Sequence, residues 1–399
     1  MIHHCRICGH AGHKEIFSHP ETPLFVGIIG DKTPTNLENV KLPISLLLCE
    51  SCLTVQQASD AKVDALLDQI YLISQDNACS GTRTGEGEFG MQRANEFIEK
   101  TGLSTMPKRV LEIGCNEGHM LEVCERLGAE SLCGIEPSVK SETRLSDKIT
   151  ILPGYFDGQS FPAGSFDLVF LISVFEHIPD AAEFLGNIRD VMAPGGQLAL
   201  SVPNCESGLE YGNLGMPIHE HLLYFTSSSL KNVLSRCGFK VVKQEATFAN
   251  LYCVAEKVDG VLEDNQAEPV RAEKFLPACE TRIDITKKFA QKHQKRWGLY
   301  GACSLTANLL AWSSGIDLTN ACLADADPNK WGKLVSGCEL VTTKPSQAVA
   351  DGVTDFMVMP FGFQEGIREH INRDYPSMEP VLLFENIAAQ YATMRALNV

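Results

Sequence analysis

From Arg109 onward, short apolar runs alternate with amphipathic segments in close succession: "RVLEIG", "HMLEVCERLG", "SLCGIEP", "SFDLVFLISV", "AAEFLGNIRDVMAPGG" and "QLALSVPN". Apolar runs of this length, each separated from the next by a helical pattern, imply a parallel sheet covered by helices. Strand-like residues follow at Val241 to Phe248, then a polar stretch around Asp259 to Pro269 and a helical pattern over roughly Val270 to Arg296. A second alternation then begins at "RWGLYGACSLTANLLAW" and continues through "NACLADADPNKWGK", "CELVTTKPSQAVADG" and "DFMVMPFGFQEGIREHI" to "PVLLFEN". The chain therefore carries two α/β units, the second smaller than the first. Its 399 residues exceed what one core usually organises.

Ahead of Arg109 the pattern differs. "CRICGH" holds Cys5 and Cys8, and "LCESCL" holds Cys49 and Cys52. Two C-x2-C knuckles so spaced are a strong signature of a tetrahedral zinc site, because each tight turn aims two thiolates at one ion. Gly9 relieves the backbone after the first pair, and His3, His4, His10 and His13 crowd it as alternative ligands. Redox dithiols are the competing reading, although neither pair has the strand-helix setting of a thioredoxin-like motif. Four cysteines close the coordination sphere, so the ion is expected to be structural. Apolar spacing predicts a helix over Ala61 to Tyr71, a loop over "SQDNACSGTRTGEGEFG", and a further helix at "MQRANEFIEKTGL".

The 15 cysteines are odd in number and scattered, unlike the framework of a disulfide-stapled secreted domain. Most are expected to be reduced and buried. With no signal-peptide pattern after Met1 and no apolar run approaching ~20 residues, a cytoplasmic protein without membrane spans is expected. A net charge of -16 without a compensating basic tract argues against nucleic acid as the main ligand.

"VLEIGCNEGHMLEVC" places Gly114 and Gly118 in a sharp turn between a strand and a helix, where a ligand can approach the backbone and the helix N-terminus offers oriented N–H groups. About twenty residues further on, the next strand ends in Glu136 and Pro137, an acid suited to grip the hydroxyls of a ribose. Together these leave a dinucleotide or S-adenosylmethionine. The glycines favour the second, since Asn116 and His119 occupy positions that G-x-G-x-x-G would fill with glycine to admit a pyrophosphate.

With Glu112 at its head, this E-x-G-x-x-x-G turn resembles the first motif of class I S-adenosylmethionine-dependent methyltransferases. The resemblance implies that Glu112 lies near the cationic amino-acid end of the cofactor, with Gly114, Asn116 and Gly118 forming the turn beneath it. "PGYFDG" resembles the segment beside the adenine, with Phe156 as ring contact and Asp157 as acceptor for its amine. "FDLVFLISVFEHIPD" resembles the fourth strand and its extension, in which Ile172, Ser173 and His177 line the cofactor.

The domain order is more specific. A four-Cys module, this core and a C-terminal unit with "LYGACSLTANLL" and "LADADPNKWGKLVSG" resemble the sugar C-methyltransferases, which act on dTDP-linked 4-keto deoxysugars. The fold so implied is α/β: a class I methyltransferase Rossmann-like core with a small N-terminal zinc-binding domain and a second, C-terminal Rossmann-like domain. The expected divisions are 1–60 for zinc binding, 61–105 for a helical linker and lid, 106–260 for the core and 261–399 for the C-terminal domain. The cofactors expected are S-adenosyl-L-methionine and Zn2+, and the partner a small molecule of the nucleotide-sugar kind.

In that family a Glu-His pair after "VPN", preceded by a tyrosine, lies against the keto sugar. The residues in that place are "IHEH", so Glu220 and His221 match the acid and the base while Ile218 replaces the tyrosine. The loop before the core, which usually carries phenols in this family, offers only the hydroxyls Ser80, Thr82 and Thr84. Carbon methylation needs a base beside a ketone, and a histidine with an ordinary pKa of ~6.5 suits proton abstraction at neutral pH. His221 is the expected base, Glu220 its orienting or proton-relaying partner and His219 a further contributor. Tyr211 and Tyr224 are the phenols near enough in sequence to stand in for the missing one.

Other outcomes stay open. His221 could instead pack near Tyr224 while Ser227 to Ser229 cap the following helix. Oxygen methylation of a nucleotide sugar, or of a natural-product or glycan hydroxyl, needs only deprotonation by His221. A cofactor-binding protein without turnover is a third possibility. In the C-terminal unit, the turn "GLYGACS" could meet a phosphate and Trp297 or Tyr300 stack on a base, or its small residues could only permit close packing.

Overall fold

The computed structural model of the protein describes residues 4–24, 28–29, 33–34, 36–37, 39–58, 60–72, 88–258, 268, 270–293, 295–385 and 387. The hydroxyls of Ser80, Thr82 and Thr84, and most of the polar stretch from Asp259 to Pro269, lie outside these residues.

The expected parallel sheet forms the centre. Its eight strands run in the order Phe239–Ala246, Asn250–Lys257, Met192–Pro203, Phe166–Ile172, Arg109–Ile113, Ser131–Glu136, Ile149–Pro153 and Thr143–Arg144. The five inner strands from Met192–Pro203 to Ile149–Pro153 are parallel, and Asn250–Lys257 runs antiparallel to both neighbours. From Arg109–Ile113 the chain first builds outward to one side and then returns to build the other with Phe166–Ile172. The strand order reverses between these two, which opens a crevice at their carboxyl ends. Leu111, Val169, Phe170 and Leu200 are fully buried, as strands covered on both faces require.

The covering helices begin where local chemistry sets them. The Asp180 carboxylate accepts from the Glu183 N–H at 3.0 Å and caps helix Ala181–Val191. Helix Ser227–Arg236 is capped by Thr226, which makes a reciprocal box with Ser229. The cap thus begins one residue before the serines that the sequence pointed to.

The N-terminal residues form antiparallel strands His13–Pro23, Lys41–Cys49 and Val55–Gln57, and the sheet takes its fourth strand, Leu223–Tyr224, from the core. Cys5, Ile7, Cys49 and Cys52 pack into the same apolar cluster as Phe175, Phe225 and Leu230 of the core. The C-terminal unit is a five-stranded all-parallel sheet, Thr342–Thr343, Ala321–Ala324, Trp297–Tyr300, Asp355–Val358 and Glu379–Leu382. The long helix before it spans Phe275–Lys292, shorter than the pattern suggested because a 3-10 turn, Ala272–Lys274, precedes it. Trp297 is 1% exposed and packs edge-on against Phe289, and Tyr300 is 3% exposed against Phe356. Both belong to the core of this unit, which corrects the expectation that either could stack on a base. No helix among the described residues is long and apolar enough to cross a membrane.

Candidate active site

The turn after strand Arg109–Ile113 carries three successive departures to positive φ: Gly114 at 72°, Asn116 at 48° and Gly118 at 85°. A Cβ on Gly114 would stand 2.5 Å from Val174 Cγ2, so this turn needs glycine for space as well as for conformation. Helix His119–Arg126 starts directly from Gly118. Glu136 closes the turn from the neighbouring strand: one oxygen accepts from the Asn116 N–H at 2.9 Å, the other from the Ser138 N–H at 3.1 Å and hydroxyl at 2.6 Å. Pro137 lies half-buried beside it. Asn116, Ser138 and Leu145 line a cavity of about 420 Å³ on this side.

Glu112 lies beneath the turn, 4% exposed, and its Oε2 has no hydrogen-bond partner. Burial, and then the charge of Glu136, hold its carboxyl well above the usual range. Across the crevice, Ile172 ends its strand half-buried and Ser173 takes a positive φ of 54°. The Ser173 hydroxyl accepts from Arg93 Nη2 at 2.8 Å. Arg93 belongs to helix Glu88–Thr101, ahead of the core, and its place among charged neighbours on an amphipathic helix gave no sign of this role in the sequence.

Phe156 packs edge-on against Phe184 at 5.8 Å and beside Phe161, while its neighbour Tyr155 is 55% exposed. The Asp157 Oδ1 accepts from the Gln159 and Ser160 N–H groups at 2.9 and 3.2 Å and from the Ser160 hydroxyl at 3.0 Å. These bonds lower its pKa.

The histidines separate into two environments. His221 and His177 meet edge to face, ring centroids 4.9 Å apart. His177 Nδ1 donates to the Glu220 carbonyl at 2.7 Å, and the Tyr71 hydroxyl donates to that carbonyl at 3.3 Å. Burial brings the His177 pKa down to about 4 and, with His177 beside it, holds His221 well below its ordinary value, so both rings are neutral at physiological pH. Glu176 is 1% exposed, neither carboxylate oxygen has a hydrogen-bond partner, and burial raises its pKa to about 8. His219 is fully buried and turned to the N-terminal sheet, its Nε2 3.4 Å from the Thr22 carbonyl, away from the other two histidines. Tyr224 is buried, and its hydroxyl donates to the Ile218 carbonyl at 3.1 Å. The sequence reading missed Tyr71 and Glu176. The first sits on a helix whose apolar spacing reads as core, and the second was passed over for its neighbour His177.

His221 and Tyr224 open onto a cavity of about 260 Å³, lined also by Asn204 and Asn213 from the core and by Ser304 and Phe363 from the C-terminal unit. The four cysteines lie elsewhere, and their sulfurs are all within 4.8 Å of one another, with Cys5 to Cys52 and Cys8 to Cys49 each at 3.6 Å. Zn–S bonds of ~2.3 Å in a tetrahedron set sulfurs about 3.8 Å apart, so the cluster has the dimensions of such a site. Gly9 and Leu53, each directly after the second cysteine of its knuckle, both turn left-handed, at φ 70° and 57°.

A family described as a methyltransferase domain matches residues 89–244. C-methyltransferase NovU of Streptomyces niveus is 24% identical over 385 residues, covering 90% of this chain and 89% of that protein. A probable chloroplastic tocopherol O-methyltransferase of Oryza sativa subsp. japonica is 32% identical over 113 residues, 26% of this chain and 31% of its own length. Among solved structures, the 1,6-didemethyltoxoflavin-N1-methyltransferase of Burkholderia thailandensis shares 17% identity, covering 59% of this chain and all of its own, at a TM-score of 0.39. The core matched by the methyltransferase family, with a class I α/β sheet built around a glycine turn and an acid-tipped second strand, makes this chain an S-adenosylmethionine-dependent methyltransferase.

Proposed function

We propose that the chain methylates a carbon of a nucleotide-linked 4-keto deoxysugar, with His221 as the base. The observation that carries this reading is the position of His221, a neutral imidazole opening onto a cavity shared by the methyltransferase core and the C-terminal unit. Similarity to a C-methyltransferase along nine-tenths of the chain supports it. S-adenosylmethionine, when bound, supplies an electrophilic methyl group. Glu112 would face its ammonium, Arg93 its carboxylate and Glu136 its ribose hydroxyls, while Gly114, Asn116 and Gly118 would form the turn below and Ile172, Ser173 and Phe156 the walls. Asp157 holds the adenine-side loop in shape. The four cysteines take one structural Zn2+.

His221 removes the proton next to the ketone and leaves an enolate to be held by donors. The family's phenol is missing at Ile218, and the Tyr224 hydroxyl is engaged with the Ile218 carbonyl. The Tyr71 hydroxyl comes within 3.3 Å of His177 Nδ1 from a different element, and it too is engaged, donating to the Glu220 carbonyl. Glu220 positions His177 through its carbonyl, and His219 braces the loop against the N-terminal sheet. Oxygen methylation of the sugar is the second reading, favoured by the loss of the tyrosine at Ile218.

Incubation with S-adenosylmethionine and a panel of nucleotide sugars, half of them 4-keto forms, followed by mass spectrometry, tests this. Gain of one CH2 unit only by keto sugars is the expected result, with His221→Asn lowering the rate by about 10²- to 10⁴-fold while retaining S-adenosylhomocysteine binding. Methylation of sugars without a ketone moves the assignment to oxygen. Cofactor binding without any product favours a protein that binds and does not turn over.

A further inference from the structure

Glu176 and His177 lie in the 3-10 turn Phe175–His177 that extends strand Phe166–Ile172, and His221 approaches from the loop that joins the N-terminal sheet. Together they bring a carboxylate oxygen and two imidazole nitrogens within 4.8 Å of one another. A carboxyl group as deeply buried as Glu176, with both oxygens lacking a hydrogen bond, is costly unless something pairs with it. Arg93 shares its surroundings but donates to the Ser173 hydroxyl instead.

His177 shows what that partner is. Its Nδ1 is 2.7 Å from the Glu220 carbonyl, which can only accept, so the ring proton is on Nδ1. Nε2 therefore presents a lone pair, 3.9 Å from Glu176 Oε1. An imidazole whose other nitrogen is fixed on a carbonyl is the usual setting of a metal-ligating histidine. We propose that Glu176, His177 and His221 form a second metal site, separate from the cysteines, that takes a divalent transition-metal ion of the zinc or cobalt kind. Two imidazoles and one carboxylate suit such ions better than magnesium or calcium. Bonds of ~2.1 Å place neighbouring donors about 3.0–3.4 Å apart, so Glu176 needs to close on His177 by roughly half an ångström. The cavity beside His221 gives the ion a route in.

The consequence for activity rests on the proposed role of His221 as base: an ion on its lone pair blocks proton abstraction, and occupancy inhibits. The binding claim does not rest on that role. Full-length protein carrying zinc at its cysteines is titrated with Co2+ and followed by visible absorption and by metal analysis after dialysis. One further equivalent is expected, with weak d–d bands and no thiolate charge transfer. Glu176→Gln, which keeps shape and burial, and His177→Ala are each expected to weaken that equivalent by at least ~10-fold and to leave the cysteine-bound ion in place. Failure to take up a further equivalent, a spectrum showing only thiolate charge transfer, or uptake unchanged in both variants overturns the site. If Co2+ binds as expected and sugar methylation proceeds unaffected, the metal site stands and the reading of His221 as base falls.

Discussion

Glu112 and Arg93 divide the two charges of an amino-acid group between them in the proposed cofactor site. Burial, and then the neighbouring Glu136, raise the Glu112 carboxyl well above its ordinary range, and a bound ammonium favours its ionised form. Binding of S-adenosylhomocysteine is therefore expected to release a proton, and affinity to rise with pH until the carboxyl ionises without ligand. Calorimetry in two buffers of different ionisation heat should give different apparent enthalpies, a difference that Glu112→Gln abolishes. Arg93→Ala should weaken S-adenosylhomocysteine roughly 10- to 100-fold, in line with ~1.5–3 kcal/mol for a hydrogen bond to a charged group, and Arg93→Lys should recover part of it. Methylthioadenosine, which lacks the amino-acid end, should bind both variants as it binds the native protein; if it weakens equally, Arg93 acts by holding Ser173 in shape.

The loop from Gly212 to Leu222 is held from two sides, by the C-terminal unit and by the N-terminal sheet. Asn308 of helix Ser304–Trp312 donates to the Leu214 and Pro217 carbonyls at 2.7 and 2.9 Å, and the Gln57 N–H donates to the Leu222 carbonyl at 2.9 Å. With its amide oriented to satisfy both ends, Gln57 also donates to the Ile218 and His221 carbonyls at 3.1 and 3.3 Å. Gly215 lets the helix come this close, because a Cβ there would stand 2.7 Å from Ser304 Oγ and 2.8 Å from the Leu305 nitrogen. Gly215→Ala should lower stability by about 1–3 kcal/mol, read from denaturant midpoints, and raise KM for the sugar more than it lowers kcat. The central sheet was legible in the sequence, because strands buried on both faces leave uninterrupted apolar runs and their helices a 3.6-residue stripe. The glycine turn, Glu136 and the cysteine knuckles were legible because each carries a short local signature: glycines between a strand and a helix, an acid at the end of a strand, and paired cysteines with two residues between them. Tyr71, Arg93 and Glu176 were not. Tyr71 and Arg93 meet their partners across more than one element, Glu176 is closed off by packing that its own turn does not show, and each on its own helix or turn looks like ordinary amphipathic or core material.

On the scale of the whole molecule, the four-cysteine module is tied directly to the methyltransferase core. Asn232 donates to the Cys52 carbonyl at 3.3 Å, Arg6 to the Pro179 carbonyl at 3.0 Å, and strand Val55–Gln57 pairs with Leu223–Tyr224, directly after the histidine loop. On the proposed zinc assignment, stripping the ion with a strong chelator, or Cys49→Ser, should lower the melting temperature and abolish methyl transfer together. Loss of metal with full activity and an unchanged melting temperature would show that the sheet holds without it. The same pairing has a consequence in time. During synthesis the module emerges before the core, yet its edge strand waits roughly 165 residues for its partner, on the order of ten to thirty seconds at ribosomal rates. Through that interval a hydrogen-bonding edge stands open to any passing chain, and on the proposed zinc assignment capture of an ion by the cysteines need not wait for the rest of the chain.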